Sequence, residues 1–480
     1  MDLKQFDIRI RPCYYFYEIT KIPHGSYNEK AISDYVVQFA KDHHLPYKQD
    51  EVFNVIIHKK ASPGYENAEP IILQAHMDMV NEKIKESTHD FEKDPLDLYE
   101  EDGWLHARNT TLGGDDGNGV AYMLAILEDE TLAHPALTCI FTTMEEVGLI
   151  GATHLTKDDI DANRMISLDG GGEVRTAITS AGGINAFIRL PLEWETNTNP
   201  TYSLQVRGLS GGHSGGEIHK EKGNANVIGA RLLKELQFNG IDVQLVSFTG
   251  GQKDNAIPRE CDILFTSSSN TNDIEKSIHE TTKAIQQELL FSDQEVYTIF
   301  DTVECAPKKL TNEKTMAVIN YAFLVPNGLQ HKSMAIEGLT QASTNLGVIT
   351  MDEDSIVFDH LIRSAEDTMA KDIFNKLRTI AEIYHMEVES NDSIKGWAYS
   401  AESKMREIFK KVLQTHNREL QEEATHGGLE CGVLKGLNPN LDIITFGPIT
   451  EHVHTPDERT NITSFINSYG LLCEILENCK

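Results

Sequence analysis

The chain has 480 residues, with 74 acidic against 43 basic side chains and a formal net charge of −31. That balance speaks against nucleic acid or an anionic membrane as a partner, since both need a basic surface. No apolar run reaches the length of a membrane span, and the opening MDLKQFDIRIRPCYYF is mixed and charged, unlike a secretion signal. Seven scattered cysteines without a CxxC predict reduced thiols in a cytoplasmic protein, and the length accommodates two or three domains.

The amino-terminal part alternates helix and strand. Ser26 and Glu29 have the spacing of a capping box ahead of a helix with Ile32, Tyr35, Val36, Phe39 and Ala40 on one face. PIILQAHMDMV reads as a short strand from Ile71 to Ala75 that ends in His76 and Asp78. TLGGDDGNGVAYMLAILEDE places Asp115 and Asp116 in a glycine turn before an amphipathic helix, with Val120, Met123, Leu124 and Leu127 at helical spacing. The turn superficially resembles a phosphate cradle, but it lacks the GK[ST] ending, and two aspartates there would repel phosphate.

The run Leu137 to Met144 reads as a core strand closed by Glu145 and Glu146. Adjacent acids at the end of a hydrophobic strand repel one another and resist burial, so such a pair persists where a positive group compensates it. A solvated turn with two surface acids is the bland reading, and it loses because other ligand types end neighbouring strands. RMISLDGGG ends at Asp169. LDIITFGPITEHVHTPDE brings His452, His454 and Asp457 a few residues after its strand. In open α/β sheets ligands bind beyond the carboxyl ends of the strands, so these side chains are expected to converge there. Oxygen and nitrogen donors without cysteine fit zinc, manganese or cobalt, and carboxylates able to bridge point to two ions.

After SAGG near Gly182 the pattern changes. INAFIRL, YSLQVRGL, IDVQLVSFTGG, CDILFTSSS, VYTIFDTVE, LGVITMD and SIVFDHLIRS read as strands interleaved with helices, one holding Ile274, Ile278, Ile285 and Leu289 on a stripe. Strands joined through tight turns predict an antiparallel sheet. From about Gly396 helix and strand alternate again. The expected fold is α/β: a discontinuous catalytic domain, residues 1–184 and 395–480, with a mixed, largely parallel sheet and helices on both faces. An α+β lid domain, residues 185–394, with a largely antiparallel sheet, interrupts it.

The ordered set HMDMV, TTLGGDDGNGVA, TTMEEVGLIGA, LDGG, GGHSGGEI, NAIPRE, STNLGVI, HGGLECG and HTPDE covers essentially the whole chain. It resembles the dinuclear zinc peptidases and deacylases of the carboxypeptidase-G2/aminoacylase clan, and within them the bacterial aminoacyl-histidine dipeptidases, which are carnosinase-like. The resemblance implies that His76, Asp115 and Asp169 hold one ion and that Asp115, Glu146 and His454 hold the other, with Asp115 bridging. Asp78 is then the orienting partner of His76, and Glu145 the general base that takes a proton from a metal-held water and delivers it to the leaving amine. His213 is implied to polarise the scissile carbonyl, in family members often from a partner subunit. Asn255, Arg259 and Arg363 are implied to hold the substrate backbone and carboxylate, and Glu430 the substrate amine. The peptide bond after the bridging aspartate, Asp115–Asp116, is expected to be cis. LDGGGEVRTAITSAGG lacks the acidic run that many relatives carry after the metal aspartate.

The function this implies is metal-dependent hydrolysis of unblocked dipeptides, including Xaa-His such as β-Ala-His, by a homodimer joined through the lid. An N-acyl amino acid deacylase on the same core and an inactive metal-binding relative are the alternatives. His452 competes with His454 as a ligand, and His454 is preferred because it heads HTPDE.

Overall fold

The computed structural model describes residues 3–391 and 393–480. It has two compact units. The first comprises the chain up to Thr179, Trp397–Ala424 and Leu429–Lys480, and the second comprises Ser180–Gly396 and Thr425–Gly428. The short return of Thr425–Gly428 to the second unit takes in the first three residues of HGGLECG, so that motif is divided between the two.

A six-stranded sheet forms the centre of the first unit, in the spatial order Tyr47–Gln49, Val55–Lys59, Leu137–Thr142, Ile71–His76, Arg164–Ser167 and Asp442–Thr445. The last four run parallel, and the first two are antiparallel to their neighbours. Every residue of Ile71–His76, Leu137–Thr142 and Arg164–Ser167 is buried. Such continuous apolar runs are what parallel strands covered on both faces require. Alternation then sorts the side chains. Val55, Ile57, Leu73, Cys139, Phe141 and Ile166 join a cluster with the helices Gly114–Glu128, Lys404–Thr415 and Ile462–Glu477. Ile56, Ile72, Ile140, Met165 and Ile443 face the opposite way, against Leu155, Cys431 and Leu434.

The second unit holds a nine-stranded sheet in which every pairing is antiparallel. Its spatial path starts at the edge strand Tyr297–Val303 and continues through Thr201–Arg207, Cys261–Thr266, Gln244–Gly250, Thr340–Met351, Ser355–Ser364 and Gly182–Pro191 to Glu387–Ser390. Helices Ala225–Phe238, Thr271–Glu288, Asn312–Leu324 and Asp367–Ile383 supply the rest of its core. The architecture is the expected α/β one, a largely parallel sheet in one unit and an antiparallel sheet in the other.

Two local expectations fail. The helix Gly114–Glu128 is not amphipathic, because Gly117 through Leu127 are all buried. The aliphatic stripe read from the sequence is one side of a helix that also packs against the amino-terminal helix Arg11–Ile19, where a methyl on Gly117 would lie 3.3 Å from the Ile19 Cδ1. Nor do Ser26 and Glu29 form a capping box. Helix Lys30–Asp42 starts after Glu29 without a side-chain cap. Both side chains have partners elsewhere: the Ser26 hydroxyl donates to Asp78 Oδ2 (2.8 Å) and Glu29 Oε1 accepts the Met144 N–H (3.1 Å).

Candidate metal centre and active site

Three adjacent parallel strands end within a few residues of His76, Glu145 and Asp169. One pleat earlier on each strand lie Gln74, Thr142 and Ser167, which form a buried polar ladder. The Ser167 hydroxyl donates to Gln74 Oε1 (2.8 Å), and Glu430 Oε2 accepts from Gln74 Nε2 (2.5 Å) and the Thr142 hydroxyl (2.7 Å). Hydrogen bonds across three strands fix their relative register and therefore the alignment of the side chains beyond. Glu430 is only 2% exposed. The structure thus places it beneath the strand ends, as a support, and not at an opening where an amine could reach it. Burial pushes its carboxyl up to about 8.

Beyond the ladder the ligand types meet. His76, Asp115 and Glu146 each offer one donor atom, all within 4.8 Å of one another. His76 Nε2 lies 3.2 Å from Asp115 Oδ1, while His454 Nε2 lies 3.4 Å from Asp115 Oδ2 and 3.0 Å from Glu146 Oε1. The two oxygens of Asp115 are therefore directed at different imidazoles, as in a carboxylate shared between two cations. His452 makes no comparable contact among the described residues. His76 Nδ1–H donates to the Asp78 carbonyl (3.0 Å), which leaves Nε2 facing the acids with the lone pair a metal needs. The Asp78 carboxylate stands slightly farther from that nitrogen, at 3.5 Å. Its stronger contacts are with the backbone N–H groups of Glu145 (Oδ1, 3.0 Å) and Glu146 (Oδ2, 3.3 Å). Asp78 thus positions the glutamate pair as much as the histidine. The Asp115–Asp116 peptide is cis, as expected.

Electrostatics mark the same place. Burial, then the charge of Asp115, push the Asp169 carboxyl up to about 7, and Glu146 adds to this. Glu145 is also pushed well above the ordinary range by burial, an effect His76 opposes and the neighbouring acids Asp169, Glu430 and Glu146 reinforce. Hydrogen bonds to Asp115 and Glu146 raise the His454 imidazole to about 10. Burial would raise Asp115, but its bonds to His454 and His76 hold it below the usual carboxylate range. So many convergent acids, compensated only by two imidazoles, fit divalent cations: the donors are oxygen and nitrogen, with no sulfur, and one carboxylate is presented to both sides.

One residue escaped the sequence reading. Glu458, the last acid of HTPDE, is 2% exposed and accepts four backbone N–H groups, from Leu112 (2.8 Å), Gly113 (3.1 Å), Gly114 (2.8 Å) and Asp115 (3.3 Å). The glycine-rich turn, whose sequence offers no reason to read it as a cradle for phosphate, instead holds a carboxyl group of the chain itself. Gly113, at φ +68°, lets the turn present these amides in sequence. An unassigned buried acid near a motif histidine was the available signal.

The second unit gathers a smaller set. His213 precedes a short turn, and its Nδ1 accepts from the Gly215 (3.2 Å) and Gly216 (3.3 Å) N–H groups, so the neutral ring carries its proton on Nε2. Burial and the charge of Arg363 lower its pKa and favour that neutral form. Ser214 N–H donates to the Asn255 carbonyl (2.8 Å), and Arg363 Nε approaches the Ser214 hydroxyl (3.4 Å), which groups His213, Asn255 and Arg363. Among the described residues Arg363 has no ion-pair partner, although burial lowers its pKa and Asp254 offsets this only in part. Arg259 is not in that group. It is exposed and donates from Nε to the Leu209 carbonyl (3.2 Å).

With this geometry established, comparison with known proteins defines the class. Residues 72–478 match the description Peptidase family M20/M25/M40, and the chain belongs to that family of metal-dependent peptidases. It is 34% identical over 466 residues to the cytosol non-specific dipeptidase of Escherichia coli, covering 96% of each chain. The crystal structure of an aminoacylhistidine dipeptidase from Vibrio alginolyticus superposes with a TM-score of 0.90 at 31% identity, covering 97% of this chain and 96% of that one. A tripeptidase from Staphylococcus aureus shares the fold at 15% identity, with a TM-score of 0.55 over 100% and 99% of the two chains.

If Glu458 holds Asp115 in place, Glu458→Ala should weaken divalent-metal affinity about 10- to 100-fold while the circular-dichroism spectrum stays unchanged. Competition with a chromophoric chelator measures this, and an unaltered affinity would assign Glu458 to stability alone.

Proposed function

We propose that the protein is a metal-dependent dipeptidase acting on unblocked dipeptides, including those with a carboxyl-terminal histidine such as β-Ala-His. The observation that carries this reading is the split presentation of Asp115, one oxygen toward His76 and the other toward His454, which itself meets Glu146, with Glu145 next to Glu146 in the chain. His76, Asp115 and Asp169 would hold one ion, and Asp115, Glu146 and His454 the other. Zinc suits this donor set, and manganese or cobalt would also fit. When bound, such ions act as Lewis acids and lower the pKa of water to about 7.

The remaining work falls to the chain. Glu145 takes a proton from the attacking water and passes it to the nitrogen of the leaving residue as the peptide bond breaks. Its raised carboxyl pKa is the direction a general base working near neutral pH needs. His213 has its Nε2–H free to donate to a carbonyl oxygen, because two backbone amides occupy Nδ1. Arg363 offers a planar fork, without a carboxylate of its own among the described residues, for the substrate's carboxyl group, with Asn255 beside it. Arg259 has its Nε on the Leu209 carbonyl, and Glu430 acts from below.

A homodimer formed through the second unit belongs to the same reading. The edge strand Tyr297–Val303 exposes Tyr297, Ile299 and Val303 and leaves backbone groups available for pairing. No described helix is long and apolar enough to cross a membrane, and all seven cysteines are free, which suits a cytoplasmic location. Sedimentation and cell fractionation test these two statements.

Glu145→Ala should retain its metal but lose about a hundred- to ten-thousand-fold in kcat on β-Ala-His, Gly-His and Leu-Gly. N-acetyl-His should be refractory. Preferential cleavage of the acetylated compound would make the protein a deacylase, and inertness of the metal-loaded wild type on the whole panel would leave only a metal-binding role.

Metal uptake should also release protons. The metal-free His454 imidazole, raised to about 10, holds its proton at pH 7 and must give it up to coordinate. Below the His454 pKa, affinity should therefore fall about tenfold for each pH unit that the pH is lowered, per proton displaced. Calorimetry in buffers of different ionisation enthalpy counts those protons, and a count of zero would contradict the assignment of His454.

A further inference from the structure

The turn that carries the glutamate pair leaves its strand through Met144, which has φ +51°, a left-handed conformation that a residue with a side chain adopts only when its surroundings impose it. Three consecutive amides impose it here. Glu145 and Glu146 donate to the two oxygens of Asp78, and Met144 donates to Glu29 Oε1 at 3.1 Å. Asp78 is in turn fixed by the Ser26 hydroxyl at 2.8 Å.

Ser26 and Glu29 reach this position because their loop is docked against the segment that follows His76. Gly25 bridges to Met79, and the Ser26 N–H donates to the Met79 carbonyl at 3.3 Å. The approach is so close that a methyl on Gly25 would lie 1.9 Å from the Asn81 Nδ2. Glu29 is 3% exposed. Glu29 leaves its own helix without a side-chain cap, and besides the local amides of Tyr27 and Glu29 its carboxylate takes up the distant Met144 N–H. Ser26 and Glu29 both precede position 72, where the match to the family begins.

We propose that the Ser26–Glu29 turn is a positioning clamp for the general base. Glu29 holds the Met144 amide, Ser26 holds the Asp78 carboxylate, and together they set the direction in which Glu145 leaves the strand. The inference rests on the dipeptidase reading for its kinetic consequence and on the backbone geometry for its physical one. Glu29 needs only an acceptor oxygen to do this, so charge is dispensable and an amide should substitute for the acid.

The experiment compares Glu29→Leu with Glu29→Gln, each loaded with zinc and assayed on β-Ala-His, with Ser26→Ala as a second probe. A displaced base costs rate and not binding, so Glu29→Leu should lose about 10- to 100-fold in kcat with KM and metal content within about twofold of wild type. Glu29→Gln should stay within about threefold of wild type throughout, and Ser26→Ala should fall between them. Hydrogen exchange read by mass spectrometry supplies a readout independent of turnover: amides of the Met144–Glu146 peptide should exchange at least about tenfold faster in Glu29→Leu and not in Glu29→Gln. Unchanged kcat and unchanged exchange in Glu29→Leu would overturn the clamp. So would a parallel loss of kcat, metal and melting temperature in both Glu29 variants, because that pattern describes a merely structural residue. If wild type cleaves no dipeptide, the dipeptidase reading fails, and the exchange comparison still decides whether the clamp exists.

Discussion

The site depends on a single constraint: several carboxylates must be buried side by side without being paired by lysine or arginine. Asp78, Asp115, Glu145, Glu146, Asp169 and Glu430 all stand near the ends of three adjacent strands. Each isolated charge would be expensive there, and their mutual repulsion adds to the cost. The protein meets this with backbone amides and two imidazoles in place of cationic side chains. Amides of the Glu145 turn satisfy Asp78 and Glu29, amides of the glycine-rich turn satisfy Glu458, and His76 and His454 face Asp115. Positive charge remains in deficit, and that deficit is what draws divalent cations to the strand ends.

This arrangement separates two kinds of acid. Some, such as Asp78, Glu29 and Glu458, have their oxygens occupied by N–H groups and serve as fixed anchors for loops. Others, such as Glu145 and Asp169, have few such contacts, which leaves their oxygens open to metal or proton chemistry. Burial raises the pKa of acids in both groups, Glu29 and Glu458 as well as Glu145 and Asp169, so what separates them is whether N–H donors occupy their oxygens.

Much of this was legible in the sequence. Apolar runs that stop at His76, at Glu145 and at Asp169 are a linear record of parallel strands whose carboxyl ends share a crevice, and order along the chain identified the family. Antiparallel pairing in the second unit followed from strands joined by tight turns. What could not be read was contact at long sequence separation. Ser26 and Glu29 have the spacing of a helix cap, and only the fold shows that their partners are Asp78 and Met144, at 52 and 115 positions' remove. Glu458 was hidden for the same reason. Helix Gly114–Glu128 reads as amphipathic from sequence because periodicity reports one apolar stripe, whereas its burial all round is a tertiary property. Arg259 illustrates the limit of motif transfer: its position in NAIPRE was clear, but the direction of its guanidinium was set by the nearby Leu209 carbonyl.

The polar ladder of Ser167, Gln74, Glu430 and Thr142 has a consequence for how this sequence can drift. Apart from Glu430 Oε1, which is buried without a partner, these side chains are bonded to one another, so changing one alone strands a buried donor or acceptor in its neighbour. Change at these four positions is therefore expected to come in concert, with intermediate sequences disfavoured, and the ladder will be inherited as a block even while the apolar residues around it exchange freely for others of similar volume.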